Sequence, residues 1–321
     1  MNKRTLLICA STAMVALSGP VLAQSNWPSK PVTLIVPYPP GGPVDQLARA
    51  IAPRLGEVLG QSIVIDNKPG ASGTIGMNAA IKAQPDGYTF GFGVPGGITV
   101  FPHLQKMPYA VDEINYVSLV ARMPQVITVG PNVPVNTLHE LVAKAKKEPG
   151  TLYYGSGGNA TTPHLGAELF AQEAGIKMVH VVYKGSAPAV TALLGGEIQV
   201  LAADLPAVKQ FTSRGVKILA VSAPRRAASL PDVPTTAELG LPGVVAESNY
   251  GIIAAKGTPA AITKMMHAAL VTTLGTPAVS ERISALGAVA MSSTPEEYRN
   301  LMQQESVKWR ALVKKANITL D

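Results

Sequence analysis

The chain is 321 residues long, 47% hydrophobic and 15% charged, with a formal net charge of +7. That composition packs cores and excludes a disordered chain. The basic residues are scattered and not interleaved with aromatics, so no nucleic-acid partner is expected.

At the N-terminus, Lys3 and Arg4 precede an apolar stretch from Leu6 to Leu17, and Val21 and Ala23 follow as compact residues. This is the three-part layout of a secretory signal peptide over residues 1–23, with cleavage expected after Ala23. The apolar stretch falls short of the roughly 20 residues a membrane span needs. The expected mature chain has 298 residues and, without Lys3 and Arg4, a charge of +5. A mild basic excess suits an anionic ligand. Cys9 is the only cysteine and lies in the leader. Disulfides, thiolate metal sites and a cysteine nucleophile are therefore excluded from the mature chain.

Lys30 to Val36 reads as a buried strand, ending at Pro37-Tyr38-Pro39-Pro40-Gly41-Gly42. Pro43 then opens a helical pattern of Val44, Leu47, Ala48, Ile51 and Leu55, with Pro53 inside it to kink or end it. A strand at Ser62–Asp66, a helix at Thr74–Lys82 and a strand at Tyr88–Phe92 follow. Alternating strands and helices imply a parallel sheet with helices on its faces. Ile114 to Val129 is a long stretch with strand character. The middle repeats the plan, with strands at 152–154, 178–183, 198–202 and 216–221 and helices at 161–174, 187–194 and 205–213. Two units of one kind predict two lobes. Val244 to Ala255 is a second connection, so two strands are expected to cross between lobes as a hinge. The last third reads as helices, the final one opening at Thr294-Pro295-Glu296-Glu297 with a hydroxyl N-cap.

Two strand-to-helix loops stand out, Pro39–Val44 and Gly155–Thr161. Ligands of open parallel sheets bind outside the carboxyl ends of the strands. Unpaired N–H groups at a helix start can hold a carboxylate there without lysine or arginine. Ser156, Asn159 and Thr161 offer side-chain hydrogen bonds, and Lys184 in the turn Lys184-Gly185-Ser186 offers a cation. Asp204 follows a strand and precedes a helix; it reads as a helix cap or as a partner for a donor group of the ligand.

Enzyme motifs fail. Gly91-Phe92-Gly93-Val94-Pro95-Gly96 has the letters of a dinucleotide fingerprint, but no helical period follows it. Tyr154 spoils a nucleophile elbow at Ser156. The five histidines, His103, His139, His164, His180 and His267, are dispersed, and only His164 falls near the expected cleft, where it could orient the loop. No metal or cofactor is expected.

The string Ile35-Val36-Pro37-Tyr38-Pro39-Pro40-Gly41-Gly42-Pro43-Val44-Asp45 resembles the first-strand signature of the tripartite tricarboxylate transporter receptors, the Bug-type periplasmic solute-binding proteins. Matches follow in order at Val64–Gly70 with Gly73, Pro85–Thr89, Tyr154–Gly158, Thr161–Leu165, Val182–Gly185 and Leu230–Thr235. The resemblance implies an α/β, type II periplasmic-binding-protein fold of two lobes joined by two hinge strands. Lobe 1 is expected at residues 24–125 and 247–321, and lobe 2 at 126–246.

It also implies a small carboxylate ligand and, as partner, a membrane permease of a large and a small subunit. The expected ligand-binding residues are Tyr38, Pro40, Gly41, Gly42, Asp45, Gly96, Thr99, Ser156, Asn159, Thr161, Lys184 and Asp204. Asp204 matches a position that meets the ligand amine in amino-acid-binding members. Pro43 and Ala160 stand where glycine is frequent, and Val94–Thr99 carries only one hydroxyl, which points to a less polar ligand body. The expected protein is a monomeric periplasmic receptor and not an enzyme; a sensor with the same closure and an exported hydrolase are the alternatives.

Overall fold

The computed structural model describes residues 27–319. The expected signal peptide and its cleavage point lie outside these residues.

β1 (Val32–Val36) leads through the first loop to α1 (Pro43–Leu59). The helix runs through Pro53 without ending, and Gly60 closes it in the left-handed conformation. β2 (Ile63–Asn67), α2 (Thr74–Ile81) and β3 (Thr89–Gly93) follow. A five-residue helix, α3 (Pro95–Thr99), comes next, where the sequence showed no helical period. Five residues are too few to display one. The glycines nearby serve packing instead: a Cβ on Gly93 would lie 2.5 Å from the Tyr298 hydroxyl, and one on Gly97 2.5 Å from Met77 Sδ.

The 16-residue β4 (Ile114–Val129) is the spine of the molecule. Beyond it come α4 (Leu138–Lys147), β5 (Tyr153–Ser156), α5 (Thr162–Ala174), β6 (Val179–Val182) and α6 (Ser186–Gly195). β7 (Val200–Asp204) leads into α7 (Leu205–Val208), which tightens into a 3-10 turn over Lys209–Arg214 where one continuous helix was expected. Then come β8 (Lys217–Val221), β9 (Glu247–Ala255), α8 (Ala260–Leu274), α9 (Pro277–Leu286), the short β10 (Val289–Ala290) and α10 (Pro295–Lys315).

The strand order β2-β1-β3-β9-β4-β7-β5-β6 makes one long sheet, with β8 and β10 also paired to β4. β1 is parallel to β2 and β3, and β5 is parallel to β6 and β7, as βαβ connections require. β9 runs antiparallel between β3 and β4. β4 changes partners along its length: Ile114–Pro124 pair with β9, and Gln125–Val129 pair with β7. The sheet is thereby two α/β half-sheets joined at Pro124-Gln125. The second chain crossing lies alongside, where Gln125 N–H donates to Ala246 O (3.2 Å) and Ala246 N–H to Ser222 O (2.8 Å).

The cores follow this division. One cluster fills the first half around Leu47, Ile51, Phe90, Phe92 and Tyr298. Two others cover the faces of the second half-sheet, one around Tyr154 and Phe170, the other around Leu193 and Leu201. A fourth bridges the halves: Trp309 and Leu312 of α10 pack with Val100 and Phe101 on one side and Ala160 and Leu165 on the other. Among the described residues no helix is long and apolar enough to cross a membrane.

Candidate functional site

The carboxyl ends of β1, β3, β5 and β7 face one another across the junction of the halves, and a cavity of about 40 Å³ lies between them. Three substantial helices begin on its wall. α1 presents Gly42, Pro43 and Val44; α5 presents Thr161, Thr162 and Pro163; α6 presents Gly185 and Ser186. None of the three has a side-chain cap. The first turn of a helix has no intrahelical acceptor for its N–H groups. Proline carries no N–H, so α1 offers the Val44 and Asp45 amides and α5 those of Thr162 and His164. The positive ends of three helix dipoles therefore point at one cavity, which favours an anion. Tyr38, Pro95, Gly96, Gly157, Asp204 and Tyr250 complete the wall, and no lysine, arginine or histidine side chain lines it. A single water needs about 10–15 Å³ of such space.

The first loop is braced from behind. Asp45 is buried and accepts from Gly41 N–H (2.8 Å), Arg49 Nε (2.8 Å) and Asn67 Nδ2 (3.0 Å). Burial pushes its acid up, but these hydrogen bonds outweigh burial and hold it below the usual carboxylate range. Asn67 Nδ2 also donates to Tyr38 O (3.0 Å). Asp45 and Gly41 therefore shape the loop; Pro40 and Gly41 are exposed at its tip. Of the first-loop residues expected at the ligand, Tyr38 and Gly42 reach the cavity.

The second loop has its own brace. Ser156 Oγ donates to Gly158 O (3.0 Å) and lies 2.7 Å from His180 Nε2. Thr161 Oγ1 donates to the same carbonyl (2.7 Å). Ala160 adopts φ +52°, a left-handed conformation that favours the glycine its position resembles. Its N–H donates to His164 Nδ1 (3.0 Å) and to the side chain of Asn159 (2.9 Å). The His164 and His180 rings stack with centroids 3.9 Å apart, and the Tyr154 ring lies 4.8 Å from His180 and 6.3 Å from His164. Burial pushes His164 down to about 3 and His180 to about 4, so both rings are neutral at neutral pH. Tyr154 donates to Glu168, 4.0 Å from His164 Nε2. The histidines that are dispersed in sequence thus include a stacked pair, and His164 orients the loop.

The Ser156–His180 pair has the spacing of a nucleophile and its base. However, Ser156 is fully buried, its hydroxyl is committed to Gly158 O, and it does not line the cavity.

Other expected residues go elsewhere. Asn159 Nδ2 donates to Thr319 O (2.9 Å), at the chain's far end. Thr99 is buried and donates to Pro95 O (2.9 Å), leaving Gly96 as the cavity residue of that segment. Lys184 is exposed, while its neighbours Gly185 and Ser186 line the wall. Asp204 occupies the N-cap position of α7, yet its side chain caps nothing. It accepts instead from Ser248 Oγ (2.6 Å) and Tyr250 OH (2.8 Å). Ser186 and Tyr250 are polar wall residues missing from the expected set, and Tyr250 lies outside both loops. Its signal was faint: Glu247-Ser248-Asn249-Tyr250 is a polar stretch at the start of a crossing strand that is otherwise apolar.

The fold recurs in known proteins. Protein BugT of Bordetella pertussis is 33% identical over 327 residues, covering 100% of this chain and 99% of its own. The structure of Rpa4515 of R. palustris with adipate is 35% identical, with a TM-score of 0.88 over 91% of this chain and 99% of its own. MatC of Rhodopseudomonas palustris, with bound malate, is 29% identical, with a TM-score of 0.83 over 89% of this chain and 99% of its own. The profile of the tripartite tricarboxylate transporter family receptors matches residues 47–318. With family profile, full-length relatives and fold in agreement, the chain belongs to the tripartite tricarboxylate transporter receptor family.

Proposed function

We propose that this protein is an exported solute receptor that captures a small organic carboxylate between two closing lobes and delivers it to a membrane permease. The observation that carries this reading is the convergence of three uncapped helix N-termini on one cavity without a lining cation. Backbone amides and dipoles supply the positive potential there. The carboxylates in Rpa4515 and MatC agree with that chemistry. The ligand-contacting residues are those that reach the wall: Tyr38, Gly42, Gly96, Thr161 and Asp204 of the set read from sequence, joined by Ser186 and Tyr250.

Lobe 1 comprises residues 24–125 and 247–321, lobe 2 residues 126–246, and they turn about the paired crossings at Pro124-Gln125 and Ala246-Glu247. Ligand contacts from both sides make the closed state the better binder, which is what closure requires. The receptor works in the periplasm as a monomer, after cleavage behind Ala23, and docks on a permease of a large and a small subunit. It performs no catalysis, since its buried Ser–His pair serves the loop.

Native mass spectrometry of freshly purified protein tests the reading. A co-purifying organic acid, recovered unchanged after prolonged incubation, is expected. A bound cation or neutral sugar, or a converted ligand, overturns it.

A further inference from the structure

The wall of the cavity holds a charge of the same sign as the proposed ligand. Asp204 is only 4% exposed, lines the cavity, and sits at the end of β7 with its carboxylate turned toward β9. Its two partners, the Ser248 and Tyr250 hydroxyls, are neutral donors. Tyr38 faces it from the first loop and is neutral, its phenol pushed up by burial and by Asp204 itself. Opposite it in register on β4 is Gln125, an uncharged amide. The α5 and α6 walls contribute hydroxyls and backbone. The basic groups of the flanking loops are spent or turned away: Arg49 is paired with Asp45 at 2.8 Å, His164 accepts from Ala160 N–H, and Lys184 is exposed.

Helix N-termini can satisfy one carboxylate. A dicarboxylate then brings a second anionic group into a small space that already contains Asp204, and two carboxylates sharing one dry site do not both stay ionised. We infer that this site takes up one proton with each dicarboxylate it binds, the proton lying between Asp204 and the ligand's second carboxyl. The inference rests on the receptor reading above. Burial pushes the Asp204 acid up to about 6, against the pull of its two hydrogen bonds. In the empty protein at pH 7.5 it is therefore mostly ionised and ready to accept a proton. The coupling would make capture favourable in mildly acid medium and weaker in alkaline medium, with no histidine involved.

Isothermal titration calorimetry of the full protein with adipate and with malate tests this, run at each pH in two buffers of different ionisation enthalpy. Uptake of close to one proton per ligand is expected between pH 7 and 8, falling below pH 6, where Asp204 is already protonated. Affinity should weaken about tenfold per pH unit above pH 7, the linkage expected for one proton. Asp204→Asn carries its own donor, so it should bind with no proton uptake and a pH-independent affinity. Tyr250→Phe, which removes one donor to the ionised form, should shift the onset of pH dependence to higher pH; this second variant and the wild-type proton count stand even if Asp204→Asn fails to fold. Binding by the wild type without proton uptake and with flat affinity from pH 6 to 8 overturns the inference alone. Binding of neither acid at any pH, together with no organic acid co-purifying in the native mass spectrum, overturns the receptor reading and the inference with it.

Discussion

Gly42 separates binding from folding cleanly. Its φ of −74° is open to any residue, and a Cβ there would meet nothing nearer than Pro39 O at 3.5 Å. It is also the N-cap of α1, a position where Asp is favoured over Gly by a few tenths of a kcal/mol. Gly42→Asp should therefore leave the melting temperature unchanged or slightly raised while placing a carboxylate against the anion site. Calorimetry should show at least a tenfold loss of carboxylate affinity; unchanged affinity would remove the first loop from the site. Thr161 behaves differently. Its hydroxyl is used inside the loop, on Gly158 O, so Thr161→Ala should cost about 0.5–1.5 kcal/mol of stability in a denaturant melt. The residue types at the site were legible in sequence, whereas their directions were not. Asp45 and Asn159 have the right chemistry and stand in the right loops, but through-space partners at Asn67 and Thr319 turn them away from the cavity.

The loop Gly155–Thr161 with its two histidines acts as one unit. His164 can accept from Ala160 N–H only while Nδ1 is unprotonated, and stacking at 3.9 Å makes two charged rings untenable. Both rings titrate below the ordinary histidine value, at about 3 and about 4 in the folded protein. Protons therefore bind the unfolded state first. The stabilisation is complete above about pH 6.5 and is lost as pH falls toward 4, by about 1.4 kcal/mol per pH unit for each ring. Chemical denaturation from pH 7.5 to 4.5 should show this slope, and replacing both histidines with asparagine should flatten it. An unaltered slope in that double variant would show that carboxylates set the acid limit. At the helix ends the sequence was a good guide. Thr294 accepts from Glu297 N–H (3.1 Å) and Glu297 from Thr294 N–H (2.8 Å), because a capping box is complete within four residues. The 205–213 helix was misread because its tightening into a 3-10 turn has no local marker.

At the scale of the molecule, glycines of the second half approach side chains of the first. A Cβ on Gly158 would lie 2.7 Å from Ser72 Oγ, and one on Gly185 3.7 Å from Pro39. Gly158→Ala should wedge the mouth open, weakening ligand affinity severalfold and raising the radius of gyration in solution scattering with ligand present. The second-site change Ser72→Gly, at a residue already in the left-handed conformation with φ +50°, should restore part of both; the remainder belongs to the φ of +156° at Gly158 and to Thr161 Cγ2 at 3.1 Å from the new Cβ. No rescue would place the Gly158 effect within its own loop. The sequence by itself determined the alternation of strands and helices, the two glycine-rich loops and the prolines that open α1 and α5. These depend on periodicity and on neighbours a few residues apart. The tertiary structure alone decided the interior of the anion site. Asp204 faces the cavity because Ser248 and Tyr250 hold it there from more than 40 residues away. His180 meets His164 because β6 pairs with β5. Such contacts are set by how the sheet is ordered across the hinge, which no local pattern records.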